Sequence, residues 1–132
     1  MLSVYKLELV DTNTIQVTEE HIPERVYWLE EKIKQEGLWR VPLLLECNTF
    51  AIMDGHHRYE VSKRLGLKRV PAILLSYNDD NVQVTSWRND FIVNKKIVLE
   101  YISQKRIFPH KTTKHLITPY PNEISIPISF LY

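Results

Sequence analysis

The chain has 132 residues, 44% hydrophobic and 25% charged, with a formal net charge of +1. That is the composition of an ordinary globular protein, long enough for one domain over residues 1–132 to bury a real core. The near-neutral charge weighs against a dedicated nucleic-acid binder. The single Cys47 excludes an intrachain disulfide framework and a cysteine metal cluster. No apolar run approaches the roughly 20 residues of a membrane span, and no signal-peptide layout opens the chain, so a cytoplasmic protein is expected.

Residues 5–10 alternate as a half-buried strand does, and Asp11-Thr12-Asn13-Thr14 reads as a turn, with Ile15 and Val17 adding a short extended piece. Pro23 suits the first turn of a helix that runs to about Glu36 and stops at Gly37. Val26, Leu29 and Ile33 share its apolar face, which Tyr27 or Trp28 widens. Residues 41–46 and 49–53 read as two strands joined by a tight turn at Cys47-Asn48. A helix from His57 to Leu65, with Val61 and Leu65 inward, ends at Gly66. Residues 70–75 form a strand that starts at Pro71 or lies at an edge, because proline cannot donate to a ladder. A turn at 78–81, an extended segment at 82–87 and a helix capped by Asn94 follow. The tail carries prolines that forbid a helix, and it closes with a strand-like alternation of Ile124, Ile126, Ile128 and Phe130. The sum is an α+β fold, a small mixed sheet with about three helices.

The chemistry concentrates in Met53-Asp54-Gly55-His56-His57-Arg58-Tyr59, where a strand gives way to a helix. The first N–H groups of a helix lack internal partners and, with the helix dipole, favour an anion. Gly55 lets backbone approach a ligand; Asp54 can cap the helix or hold a divalent cation. Arg58 can fork onto phosphate oxygens, and His56 or His57 can donate to them. A capped turn with solvated histidines needs only one of these residues, so the whole cluster favours a phosphate site. Adjacent histidines point about 100° apart on a helix, which argues against a shared zinc ion.

A second cluster, Lys111-Thr112-Thr113-Lys114-His115, offers donors and no acid, and it suits a phosphate or a carboxylate. Taken alone it also fits a solvated basic loop. Glu19 and Glu20 precede the first helix; if the fold brings them beside Asp54, one can take a proton from a hydroxyl. Trp87 is either core or a pocket wall, and core is the default; Trp28 and Trp39 read as packing residues. With glycine only at positions 37, 55 and 66, no Walker loop is present.

The run from Phe50 to Tyr59, followed by Leu65-Gly66-Leu67-Lys68-Arg69-Val70-Pro71, resembles the signature of the ParB/sulfiredoxin-like superfamily, and specifically its free-serine kinase branch. Val84-Thr85-Ser86-Trp87 and the tail Phe108-Pro109-His110-Lys111-Thr112-Thr113-Lys114-His115 match that branch in the same order. The resemblance implies phosphorylation of free L-serine to O-phospho-L-serine, with ATP or ADP as donor and Mg2+ as cofactor. By similarity, Asp54 lies near the metal and phosphates, and Gly55, His56, His57 and Arg58 form the phosphate-binding helix start. Glu19 fits the catalytic acid of the family, with Glu20 as fallback; Trp87 and, from the 111–115 cluster, Thr113 and His115 would line the serine or phosphoserine pocket. Lys114 stands where the family usually has arginine, which removes a planar fork. A ParB-type nucleotide-binding switch or DNA-binding adaptor is the alternative, although 132 residues leave little room for a helix-turn-helix domain. Sulfiredoxin chemistry needs a nucleophilic cysteine at the phosphate turn, where this chain has histidines.

Overall fold

The two apolar stretches around 43–46 and 70–75 become the inner strands of a four-stranded sheet. In the computed structural model, which describes residues 5–132, the elements in chain order are β1 (Leu7–Asp11), α1 (Pro23–Glu36), β2 (Leu38–Trp39), β3 (Leu43–Glu46), β4 (Ile52–Asp54), α2 (His56–Leu65), β5 (Arg69–Leu75), β6 (Val82–Ser86), α3 (Lys95–Ser103), β7 (Thr113–Ile117) and β8 (Ile126–Pro127). The sheet order is β1-β5-β3-β4, with β3 and β5 parallel and the outer strands antiparallel to their neighbours. Two ribbons, β2 with β8 and β6 with β7, complete the pairing.

Strands covered on both faces read as continuous apolar runs, because neither face meets water. Leu43, Leu45, Val70 and Ala72 pack with Val26, Leu29 and Ile33 of α1 and with Tyr59 and Val61 of α2. Leu44, Ile73 and Leu75 face the other way, onto Val98 and Ile102 of α3, Val82 of β6, Ile117 of β7 and Phe108. Leu43 and Leu45 are fully buried, each contributing about 1.5–3 kcal/mol relative to exposure. The layers are therefore α1 with α2, the sheet, and α3 with the β6–β7 ribbon.

The mixed sheet and three helices match the sequence expectation. α1 carries Pro23 in its first turn and ends at Gly37 (φ 68°), and the Asn94 side chain caps α3 by accepting from the Ile97 N–H at 2.9 Å. Several details differ. β5 is an inner strand that begins at Arg69, so Pro71 lies within it, opposite Leu9 of β1; β3 pairs only from Ala72 onward, one residue past the proline. The β3–β4 turn is longer than a two-residue hairpin, because the Glu46 carboxylate gathers the Asn48 and Thr49 N–H groups at 3.0 and 2.8 Å. Thr12–Thr14 tighten into a 3-10 turn capped by Asp11, and the extended piece at 15–17 makes a bridge from Gln16 to Ala51. The closing strand shrinks to β8 and a 3-10 turn over Ile128–Phe130; Phe130 faces out and Leu131 is the buried residue. Tyr27 and Trp28 do not widen the buried face of α1, and Trp28 is 66% exposed. Trp39 is fully buried, as expected.

Candidate active site

Gly55 joins β4 to α2 with φ 114°, and a Cβ there would lie 2.5 Å from Leu43 Cδ2. Only glycine satisfies both conditions, because the conformation and the space each exclude a side chain. Gly55 is also the N-cap of α2, and no side chain caps the helix. Of the two roles open to Asp54, capping is therefore absent. Its Oδ2 instead accepts a hydrogen bond from the Tyr120 hydroxyl at 2.7 Å. The first N–H groups of α2 are left available to an anion, with Asp54 exposed beside them.

Arg58, in the first turn of α2, makes no ion pair or hydrogen bond among the described residues. Burial lowers its pKa, and Asp54 opposes that shift. A desolvated guanidinium with no hydrogen bond among the described residues is prepared for an anionic ligand.

The two imidazoles do something else. His56 is turned inward and is 8% exposed, with Nε2 at 3.0 Å from Thr18 Oγ1. The Thr18 hydroxyl donates to the Ile52 carbonyl at 2.8 Å and the Thr18 N–H donates to the same Nε2 at 3.4 Å, so the direction of the 3.0 Å contact depends on the ring tautomer. Burial pushes the His56 pKa down to about 3. His57 Nε2 accepts from the Ile22 N–H at 3.0 Å, and burial, followed by nearby Arg25, lowers its pKa too. Both neutral rings brace residues 18–22 against α2. Their main-chain N–H groups, at the start of α2, are what these positions offer an anion.

That bracing positions Glu19. The Phe108 N–H donates to the Thr18 carbonyl and the Glu20 N–H donates to the Phe108 carbonyl, each at 2.9 Å. Between them Glu19 turns into the fold, while Glu20 is exposed. Glu19 Oε1 accepts from the Thr112 N–H at 3.2 Å, the Thr113 N–H at 2.8 Å and the Thr113 hydroxyl at 2.9 Å. Two successive N–H groups converging on one oxygen form an anion nest, which Lys111 introduces with a left-handed φ of 53°. Burial raises the Glu19 pKa, and the Thr113 and Thr112 hydrogen bonds oppose the rise.

The 111–115 cluster is thus divided. Lys111 and Thr113 line the cleft with Glu19. Thr112 contributes its N–H, since its hydroxyl donates to the Pro109 carbonyl at 2.6 Å. Lys114 Nζ stands 4.4 Å from the centre of the Trp87 ring, and Lys111 Nζ stands 5.8 Å from it. His115 lies apart from the cleft, with Nε2 at 2.7 Å from the Tyr77 hydroxyl and a buried Nδ1 that has no hydrogen-bond partner among the described residues. Burial lowers its pKa to about 4. Trp87 is a wall of the cleft and not core, at 54% exposure.

The cleft measures about 260 Å3 and brings Glu19 together with Asp54, Gly55, His56, His57, Arg58, Trp87, Lys111 and Thr113. Ile22, Arg25, Met53 and His110 also line it. Met53 and His110 fall within the two stretches quoted from the sequence, whereas Ile22 and Arg25 were not singled out there. No cluster of three or more His, Cys, Asp or Glu side chains able to hold a metal occurs among the described residues. Asp54 is the single exposed carboxylate of the cleft. That donor set fits Mg2+, which keeps several waters and is held through one or two carboxylates plus substrate phosphates.

This small α+β domain thus places a glycine turn and an uncapped helix start, a feature that favours anions, in one cleft with a half-buried acid. The chain belongs to the ParB N-terminal domain family, which it matches over residues 2–88. It is 35% identical to the ATP-dependent L-serine kinase of Staphylothermus marinus over 75% of this chain and 41% of that protein. It is 28% identical to a ParB-like protein of Sulfolobus acidocaldarius over 93% of this chain and 59% of that one. The chain therefore spans about two fifths and three fifths of these relatives. In fold it resembles a free serine kinase solved in complex with AMP, with a TM-score of 0.88 over 97% of this chain and 94% of the other at 16% identity. No helix among the described residues is long and apolar enough to cross a membrane.

Proposed function

We propose that the protein phosphorylates free L-serine to O-phospho-L-serine, with ATP or ADP as phosphoryl donor and Mg2+ as cofactor. The observation that carries this reading is the Glu19 carboxylate, fixed by three hydrogen bonds in the same cleft as the open start of α2. A phosphate-binding switch has no use for a desolvated carboxylate of raised pKa there. A hydroxyl-activating base does, because efficiency rises as the pKa of the base approaches working pH. Likeness to a named L-serine kinase supports the choice of acceptor.

In this reading the terminal phosphate of the donor lies against the N–H groups of residues 56–58, with the Arg58 guanidinium on its oxygens. Glu19 takes the proton from the serine hydroxyl; the freed oxygen bonds to the terminal phosphorus, and the bond to the leaving nucleotide breaks. The products are O-phosphoserine and ADP from ATP, or AMP from ADP, and the proton passes from Glu19 to solvent. Lys111 holds the carboxylate of serine or the new phosphate beside Trp87, while Thr113, whose N–H and hydroxyl both donate to Glu19, lines the serine pocket and keeps the base in place. Asp54 would hold Mg2+, which would supply charge neutralisation for the donor phosphates. Positioning and charge neutralisation supply most of the barrier reduction in phosphoryl transfer, so this small set of groups is sufficient in kind.

The alternative is a nucleotide-binding switch without transfer, favoured by the ParB-like relative that matches 93% of the chain. A screen of ATP and ADP against L-serine, D-serine, L-threonine and L-homoserine, with Mg2+ and with chelator, separates the two. The kinase reading predicts phosphoserine from L-serine with at least one donor, and its loss with chelator. Nucleotide binding without phosphorylation of any acceptor would exclude it.

A further inference from the structure

The exposed carboxylate of the cleft is gripped from far along the chain. Residues 118–125 run as a strap from β7 to β8, and within it the Tyr120 hydroxyl donates to Asp54 Oδ2 at 2.7 Å. The other oxygen, Oδ1, has no hydrogen bond or ion pair among the described residues. We propose that Tyr120 is a positioning residue for the metal: its hydroxyl ties down one oxygen of Asp54, leaves a single oxygen for a cation, and so favours Mg2+ over Ca2+. The inference rests on the kinase reading for the presence of Mg2+ at Asp54, and it assigns a role to a tyrosine outside both sequence clusters.

The bond is not what holds the strap in place. The Thr118 N–H donates to the Asn81 carbonyl at 3.0 Å, the Tyr5 hydroxyl to the Pro119 carbonyl at 2.6 Å, and the Ile124 N–H to the Arg40 carbonyl at 2.7 Å. Burial does not fix the ring either. Tyr120 is 54% exposed and walls a groove of about 320 Å3 that Val41, Pro42 and Leu44 line with it. The contact that orients the phenol is therefore the one its hydroxyl makes with Asp54.

The chemistry of the donor points the same way. A phenol hydroxyl is neutral at working pH, so it orients the carboxylate without cancelling the charge that a cation needs. Arg58 would cancel it, yet it lines the same cleft without an ion pair to Asp54 among the described residues. A carboxylate free to rotate can offer both oxygens, which suits Ca2+ with its six to eight flexible ligands. One held by a single oxygen suits Mg2+, which demands near-ideal octahedral geometry and keeps several waters.

The test follows the free Mn2+ signal, with Mn2+ standing in for Mg2+, by electron paramagnetic resonance as protein is titrated with ADP present and serine absent. Mg2+ or Ca2+ is then added as competitor. Wild type, Tyr120→Phe and Tyr5→Phe are compared, and ADP affinity is measured separately by calorimetry in chelator. Partners that orient a metal ligand are worth about 10–100-fold in metal affinity, so Tyr120→Phe is expected to weaken Mn2+ by that factor while ADP affinity in chelator stays within about twofold. Ca2+ should gain on Mg2+ as competitor in that variant, and Tyr5→Phe should bind Mn2+ like wild type. Unchanged Mn2+ affinity in Tyr120→Phe, or an unchanged order of Mg2+ and Ca2+, overturns the inference. An equal loss in Tyr5→Phe also overturns it, because tethering of the strap would then be the cause. So does an equal loss of ADP affinity in chelator, which would place the hydroxyl in service of the nucleotide or the fold. Because serine is absent, none of these results bears on phosphoryl transfer, and the kinase reading stands or falls on the phosphoserine screen alone.

Discussion

Burial holds the Glu19 carboxyl above its ordinary value of 4.5, with hydrogen bonds from Thr113 and Thr112 pulling the other way. The sign of this shift has two consequences. A carboxyl whose folded pKa exceeds its unfolded one contributes stability below the unfolded pKa and loses it as pH rises through the folded pKa. At neutral pH the charged Glu19 is therefore a net cost to the fold. Glu19→Gln, which keeps an oxygen acceptor for the Thr112 and Thr113 N–H groups, is expected to be at least as stable as wild type at pH 7 in urea denaturation. That advantage should vanish below about pH 4, the unfolded glutamate range. The same variant should lose about 10²–10⁴-fold in turnover, the usual worth of a positioned base. In wild type, the acid limb of the turnover profile should lie above 4.5. A less stable Glu19→Gln with near-normal turnover would show that the carboxylate is structural.

At the scale of elements, the site is a junction in which β4 delivers Asp54, Gly55 turns the chain and α2 begins uncapped. Gly55→Ala forces a side chain into φ 114° and onto Leu43 Cδ2. The predicted cost is about 1–3 kcal/mol in chemical denaturation. Nucleotide affinity should fall as well, because relief of the clash must move β4 or the first turn of α2. Unchanged stability and affinity would mean that this junction is looser than its geometry. The opposite wall is a second junction, in which residues 18–20 run beside Phe108 and the 109–112 turn presents its N–H groups to Glu19. Its parts lie about ninety positions apart in sequence. No local pattern can report that contact, so the pairing of Glu19 with the tail cluster was open in the sequence and closed only by the fold.

At the scale of the whole molecule, two buried histidines tie the layers together. His56 links residue 18 to α2, and His115 links β7 to Tyr77. Their folded pKa values, about 3 and about 4, lie below the ordinary 6.5. Depressed values mean that their contribution is present above pH 6.5 and is lost as pH falls towards 4 and 3. Thermal unfolding at fixed ionic strength should show stability falling from pH 6.5 downward, with a slope approaching the uptake of two protons. A flat profile to pH 4 would contradict the burial of both rings.

Much of this molecule was legible before folding. Pro23 and Gly37 framed α1, Asn94 capped α3, and Gly55 marked the strand-to-helix turn, because each is a local backbone constraint. Long-range partners were not legible. His56 and His57 carry the same residue type whether they face a phosphate or a main-chain N–H, so only the packing of residues 18–22 reveals their role. Pro71 pointed to a strand start or edge, yet β5 tolerates it inside because β3 pairs only past it. Trp28 reads in the sequence as a packing residue that, with Tyr27 as the other choice, widens the apolar face of α1, yet it is exposed, and Tyr120 gave no sign that its hydroxyl reaches Asp54.

The central claim, that this cleft moves a phosphoryl group from nucleotide to serine, is tested most directly by phosphorus NMR of the protein with ATP, Mg2+ and L-serine. The account predicts a phosphoserine resonance that grows in step with loss of the terminal phosphate of ATP and that requires L-serine and Glu19. ATP that stays intact, or that yields only inorganic phosphate while serine is unchanged, would contradict it.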